Sequence, residues 1–164
     1  MRKSHIKNLK PLKRKINKDL PIASKTELDD FLTKAFNSDI ESLKSLPNVI
    51  KVGKINKPLF EKLNLKSDEV FFTKKTATHA REIRKQAYNQ AVSKDEAVYL
   101  QDRLKEAKEA YKDQGDYIIV ISEKDDRVNL AVMESDEIGN LVVTLKNIEK
   151  NNLRSFEKVE VWEV

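Results

Sequence analysis

Val70-Phe71-Phe72-Thr73-Lys74-Lys75-Thr76-Ala77-Thr78-His79-Ala80-Arg81-Glu82-Ile83-Arg84-Lys85 reads as a short apolar strand, a polar turn and the start of a helix. Bulky and β-branched residues suit a pleated, half-buried surface, which predicts a strand over 69–73. Thr76 or Thr78 can cap the helix that follows, expected over 77–91, with Ala80, Ile83, Ala87 and Ala91 as its stripe. The stretch holds one of the two histidines in the chain, surrounded by Lys74, Lys75, Arg81, Arg84 and Lys85. An imidazole titrates near neutral pH, so it can both take and give a proton. In a cationic setting it is a centre for chemistry on an anion.

Upstream of this stretch the pattern is helical scaffold. Ser24 with Glu27 fits a capping box, and Leu28, Phe31, Leu32, Ala35 and Phe36 form one apolar stripe. Ser38 with Glu41 can cap a second, shorter helix that Pro47-Asn48 ends. Val49 to Ile55 is a β-like run. Asn56 can then cap a short helix with Pro58 in its first turn and Leu59, Phe60 and Leu63 as the buried face.

Downstream, Ala97, Leu100, Leu104, Ala107 and Tyr111 share one face of an expected helix over 94–114, for which Gly115 is a natural stop. Strands are expected near 117–123, 127–134, 140–148 and 157–163, linked by short polar turns. Tyr117 to Ser122 reads as a central strand covered on both faces, Val128 to Met133 as a strand with one face buried. In the turn Glu137-Ile138-Gly139-Asn140, Gly139 is free to take positive φ. Leu141, Val143 and Leu145 alternate with Val142, Thr144 and Lys146, which puts Thr144 and Lys146 on the face away from the first set. The expected class is α+β, with N-terminal helices packed on a twisted C-terminal antiparallel sheet of about four strands.

Composition bounds the function. The chain has 164 residues, 39% apolar and 36% charged, enough for one heavily solvated domain with a core. It has no cysteine, which removes disulfides, thiolate zinc sites and cysteine nucleophiles, and fits a reducing, cytoplasmic compartment. No apolar run approaches a membrane span, and no apolar segment follows the basic start, so neither a membrane partner nor a secretory signal is expected. The net charge is +5 and uneven: residues 1–18 carry eight Lys or Arg and no acid. Such an arm is either a solvated tail or a set of phosphate contacts. The expected organisation is a basic flexible arm over 1–20, a helical extension over 21–48 and an α+β domain over 49–164.

No metal or other cofactor is expected. His5 and His79 are far apart, and three scattered glycines cannot build a phosphate cradle. What remains is metal-free acid–base chemistry on RNA, which carries its own 2′-hydroxyl nucleophile. Such an enzyme needs a base, an acid, and cations or donors for the charged transition state. His79, Arg84, Thr144 and Lys146 are the candidate catalytic residues. Lys74, Lys75, Arg81 and Lys85 are candidates for binding the nucleic acid.

From Val49 to Val164 the order of elements resembles the phage-associated branch of the Barnase–EndoU–colicin–RelE nuclease superfamily. Val52-Gly53-Lys54-Ile55 before a short helix, Val70-Phe71-Phe72-Thr73, Thr78-His79-Ala80 and Leu141-Val142-Val143-Thr144 carry the resemblance. It implies a metal-independent endoribonuclease of toxin or phage type acting on RNA, with an inhibitor protein as a further partner. It also implies His79 as the acid–base residue and Thr144 as a transition-state hydrogen-bond donor. The chain departs from the pattern where relatives carry a second histidine, since Arg84 or Lys85 occupies that region. The alternative is a non-catalytic phage or accessory module that grips nucleic acid through its basic arm.

Overall fold

Asp113, Gln114, Gly115 and Asp116 make the turn that most changes the fold expected from the sequence. The computed structural model describes residues 16–37, 40–79 and 94–164. Gln114 and Gly115 both take left-handed φ, 50° and 92°, and Asp113 pairs with Asp116 across them. Two consecutive left-handed residues form the two-residue hairpin turn whose twist matches that of the flanking strands. Gly115 is therefore a hairpin residue and not a helix stop. The chain before it is a strand, β3 (Glu109–Asp113), instead of the end of a long helix.

In order, the elements are α1 (Lys25–Asn37), α2 (Ile40–Ser45), β1 (Val49–Lys54), α3 (Lys57–Lys62), β2 (Glu69–Thr73) and α4 (Lys74–His79). After residues 80–93 come α5 (Lys94–Ala97), α6 (Leu100–Glu106), β3, β4 (Asp116–Lys124), β5 (Arg127–Ser135), β6 (Asn140–Glu149), a 3₁₀ turn (Lys150–Ser155) and β7 (Glu157–Glu160). The expected capping signals act locally. Ser24 and Glu27 exchange hydrogen bonds, 3.0 Å from the Ser24 amide to Glu27 and 3.1 Å from the Glu27 amide to Ser24 Oγ. Asn56 Oδ1 accepts the Leu59 amide at 3.0 Å, with Pro58 in the first turn of α3.

Among the described residues seven strands form one sheet in the order β1-β2-β6-β5-β4-β3-β7. This corrects the expectation of a C-terminal antiparallel sheet of about four strands. β1 and β2 belong to the same sheet, β2 pairs in parallel with β6, and β3 and β7 extend the other edge. Short polar links announced the β4–β5–β6 meander. The parallel β2–β6 pair joins strands some seventy residues apart and leaves no local signal.

The α helices pack on one face, the helix side. Leu28, Phe31, Leu32, Leu59, Leu100 and Leu104 meet Val70, Phe72, Ile119, Ala131, Met133, Val142 and Leu145 in one core. Phe31 stands edge-on to Phe72 with ring centres 6.3 Å apart. Leu28, Phe31, Leu32, Ala35 and Leu46 from residues 21–48 lie in this same core. The far face is covered in two places: Leu153 of the 3₁₀ turn lies with Ile118, Val120, Val128 and Leu130, while Ile16 lies with Phe71 and Leu141. β5 is therefore buried on both faces, not one.

Gly139 does not use its freedom of φ. A Cβ there would come within 2.5 Å of the Phe71 ring, so close approach, not a left-handed turn, requires glycine at this position.

Candidate functional site

Thr73, the last residue of β2, starts the helix that carries His79. Its Oγ accepts the Thr76 amide at 3.1 Å and lies 3.1 Å from Thr76 Oγ, which in turn donates to the Val142 carbonyl of β6 at 3.0 Å. Thr73 rather than Thr76 or Thr78 is the cap, so α4 begins at Lys74. A strand carbonyl points along the plane of its sheet. The bond from Thr76 therefore sets α4 beside the edge of β6, where pairing with β2 stops at Val142. Ala77 turns into the helix-side core. His79 is the last residue of α4. Its side chain lies outside the described residues, as do Arg81, Arg84 and Lys85 and the rest of the helix expected to residue 91.

Of the other predicted binding residues, Lys75 is exposed. Lys74 is tied down: its Nζ donates to the Leu43 carbonyl at 3.0 Å, and its amide to the Asn48 carbonyl at 2.9 Å. Lys74 thereby supplies a cation at the C-terminal end of α2, where carbonyls point outward.

A β-bulge sets the direction of Thr144 and Lys146. Val142 pairs with Met133 and Thr144 with Val132, which leaves Val143 as the extra residue. The bulge shifts the alternation by one. Before it Val142 faces the helices; after it Leu145 and Asn147 do, opposite Ala131 and Asn129. Thr144 and Lys146 stand opposite Val132 and Leu130 on the far face. Leu141 and Val143 also belong to that face, so the simple grouping of Leu141, Val143 and Leu145 breaks at the bulge. The structure brings Thr144 and Lys146 together, both half-buried. It sets them on the side of β6 opposite the core that receives Ala77.

On the helix side a polar row crosses three strands, and the sequence reading missed it. Asn129 is 2% exposed. Its amide donates to Glu96 of α5 and, at 2.9 Å, to Ser122 Oγ, while Ser122 donates to Glu96 Oε2 at 3.0 Å. Asn147 donates to Asn129 Oδ1 at 2.8 Å, and Arg127 donates to the side chain of Asn147 and to its carbonyl at 3.3 Å. A carboxylate, a hydroxyl, two amides and a guanidinium thus form one network where the apolar core ends. Burial of an amide without partners would cost ~1–3 kcal/mol, which accounts for the closure of the network around Asn129. The signal available in the sequence was Asn129 between Val128 and Leu130. A polar residue inside an apolar strand needs a partner, but strand pairing alone names it.

Among the described residues no group of three or more His, Asp or Glu stands close enough to hold a metal ion. Also among them, no helix is long and apolar enough to cross a membrane. Comparison of the chain with protein-family models, curated proteins and solved structures finds no match in any of the three.

Proposed function

We propose that the chain is a metal-independent endoribonuclease of toxin type that cleaves RNA by attack of the 2′-hydroxyl, with His79 as an acid–base residue. The observation that carries this reading is the position of α4: it ends at His79 and adjoins the edge of β6 at Val142, two residues before Thr144 and four before Lys146, which stand on the far face. In the reaction a base takes the 2′-hydroxyl proton and the oxygen attacks phosphorus. The bond to the 5′-oxygen breaks, and an acid protonates that oxygen, leaving a cyclic phosphate and a free 5′-hydroxyl. Thr144 is suited to donate a hydrogen bond to a non-bridging oxygen, and Lys146 to offset its charge. Arg84 can offset charge too, but a guanidinium does not release a proton near neutral pH. The second proton transfer then falls to His79 in a second role or to water.

The test is cleavage of RNA in EDTA, with the products analysed for a cyclic phosphate end. His79→Ala should lower the rate by ~10²–10⁴-fold. Cleavage that needs a divalent ion, or that survives His79→Ala unchanged, would overturn the reading.

A second reading is binding without turnover through the basic N-terminal residues; eight of the first eighteen are Lys or Arg. That reading predicts salt-sensitive binding of nucleic acid that is indifferent to His79→Ala.

A further inference from the structure

β7 closes one end of the sheet, and among the described residues no strand pairs with its outer side. On its inner side it pairs antiparallel with β3, Glu160 opposite Glu109 and Val159 opposite Ala110. One step further the Val161 amide donates to the Lys108 carbonyl at 2.8 Å. Hydrogen-bonded and non-bonded pairs alternate along an antiparallel ladder. Glu157, Val159 and Val161 therefore turn their backbone groups toward β3, and Lys158 and Glu160 turn theirs outward. Such an outward row is a template on which a further strand can pair.

The side chains alternate as well. Val159 lies in the helix-side core, and Val161 packs against it. Lys158 stands opposite Tyr111 on the far face, where Phe156 packs on the cluster of Tyr111 and Leu153. Lys158 forms ion pairs with Glu160 at 2.7 Å and Glu109 at 3.2 Å, and about half of its side chain remains exposed. Two residues past β7, Trp162 is 94% exposed.

We infer that β7 pairs antiparallel with β7 of a second copy of this chain, about a two-fold axis at Val159. Backbone direction and charge select that register. Only the outward residues, Lys158 and Glu160, can exchange hydrogen bonds across the axis, so the axis passes through a residue and not between two. At Glu157, Lys158 or Glu160 it would set that residue opposite itself, and like charges directly opposite each other are destabilising. At Val159 it sets valine beside valine, and Lys158 of each copy opposite Glu160 of the other. The charge pair forms twice, because a two-fold contact repeats itself. Continued outward, the same register sets Phe156 of one copy opposite Trp162 of the other and covers the exposed indole. A short, charged edge strand ordinarily turns other strands away. Here the charges oppose every register centred on β7 except one. The pairing is independent of any activity on RNA.

The experiment is sedimentation equilibrium of the full chain from micromolar to millimolar concentration. The mass should rise from that of one chain to twice that value. Trp162 is the sole tryptophan, so its emission should shift to the blue over the same range. Lys158→Glu alone, or Glu160→Lys alone, sets like charges opposite each other in both halves of the contact. Each should raise the dissociation constant by ~10²-fold or more. Mixed in equal amounts, the two variants restore both charge pairs, and the mixture should associate as the native chain does. Circular dichroism checks that each variant is folded; native mass and Trp162 emission decide the case even where one is not. A native chain that stays single at the highest concentration would overturn the inference. So would a dimer that both single variants leave intact, or one in which Trp162 emission does not move.

Discussion

The Tyr117 hydroxyl is buried in the helix-side core and, among the described residues, meets no hydrogen-bond partner. Burial disfavours the phenolate and pushes its pKa up from the ordinary value. Two outcomes follow for Tyr117→Phe. Removal of an unsatisfied polar atom should leave stability unchanged or raise it by up to ~1 kcal/mol, measured by urea denaturation at neutral pH. At high pH the sign is also fixed. Above pH ~10 an unfolded tyrosine loses its proton while the buried one keeps it, so the folded form of the native chain is weakened as pH rises, by ~1.4 kcal/mol per pH unit. The substituted chain should lack that increment. A Tyr117→Phe protein that is clearly less stable at neutral pH would mean that the hydroxyl has a partner after all.

Asn56 shows how one element is tied to another. Its side-chain oxygen caps α3, while its Nδ2 donates to the Ala107 carbonyl at 2.8 Å and to that of Leu104 at 3.3 Å. Its amide also donates to the Leu104 carbonyl, at 2.9 Å. The residue thus joins the start of α3 to the end of α6. Asp is as good a cap as Asn, so a capping role alone predicts little effect from Asn56→Asp. Here the carboxylate would face two carbonyl oxygens and satisfy neither. The expected cost is ~1–3 kcal/mol in chemical denaturation. An unchanged midpoint would show that the bond between elements contributes nothing and that only the cap matters. The cap itself was legible in Asn56-Lys57-Pro58; the two carbonyls fifty residues away were not.

For the whole molecule, residues 16–23 pass as a strap from the far face, where Ile16 packs on Phe71 and Leu141, over β1 to the start of α1, and the buried Lys51 donates to the Lys18 carbonyl at 2.7 Å on the way. Lys51→Met keeps most of the volume but leaves Glu69 and the Lys18 carbonyl without their partner. Loss of one member of a buried ion pair costs ~3–5 kcal/mol, a ceiling here because Glu69 retains contact with water. The double variant Lys51→Met with Glu69→Gln should recover part of the loss. A single variant as stable as the native chain would show that apolar packing of Ile16, not Lys51, holds the strap. Limited proteolysis near residue 18 separates the cases, since a released strap is cut first.

Features that depend on neighbours a few residues apart were legible in the order of amino acids. These are the Ser24–Glu27 and Asn56 caps, the stripe Leu28-Phe31-Leu32-Ala35, the strand at 69–73 and the β4–β5–β6 meander. Long-range pairing sets the remaining features, in three ways. Ala97 to Tyr111 fits a helical stripe, but pairing Tyr111 with Ile118 and Lys158 in the sheet outweighs local helical preference, so β3 replaces the last turns of helix. One extra residue at Val143 inverts the alternation of β6, and a bulge is written in strand pairing rather than in residue type; that single shift settles where Thr144 and Lys146 face. The Glu96–Ser122–Asn129–Asn147–Arg127 row draws on four elements, so the local signal, Asn129 between Val128 and Leu130, shows that a partner is needed but not which one. Only folding the strands side by side makes them neighbours.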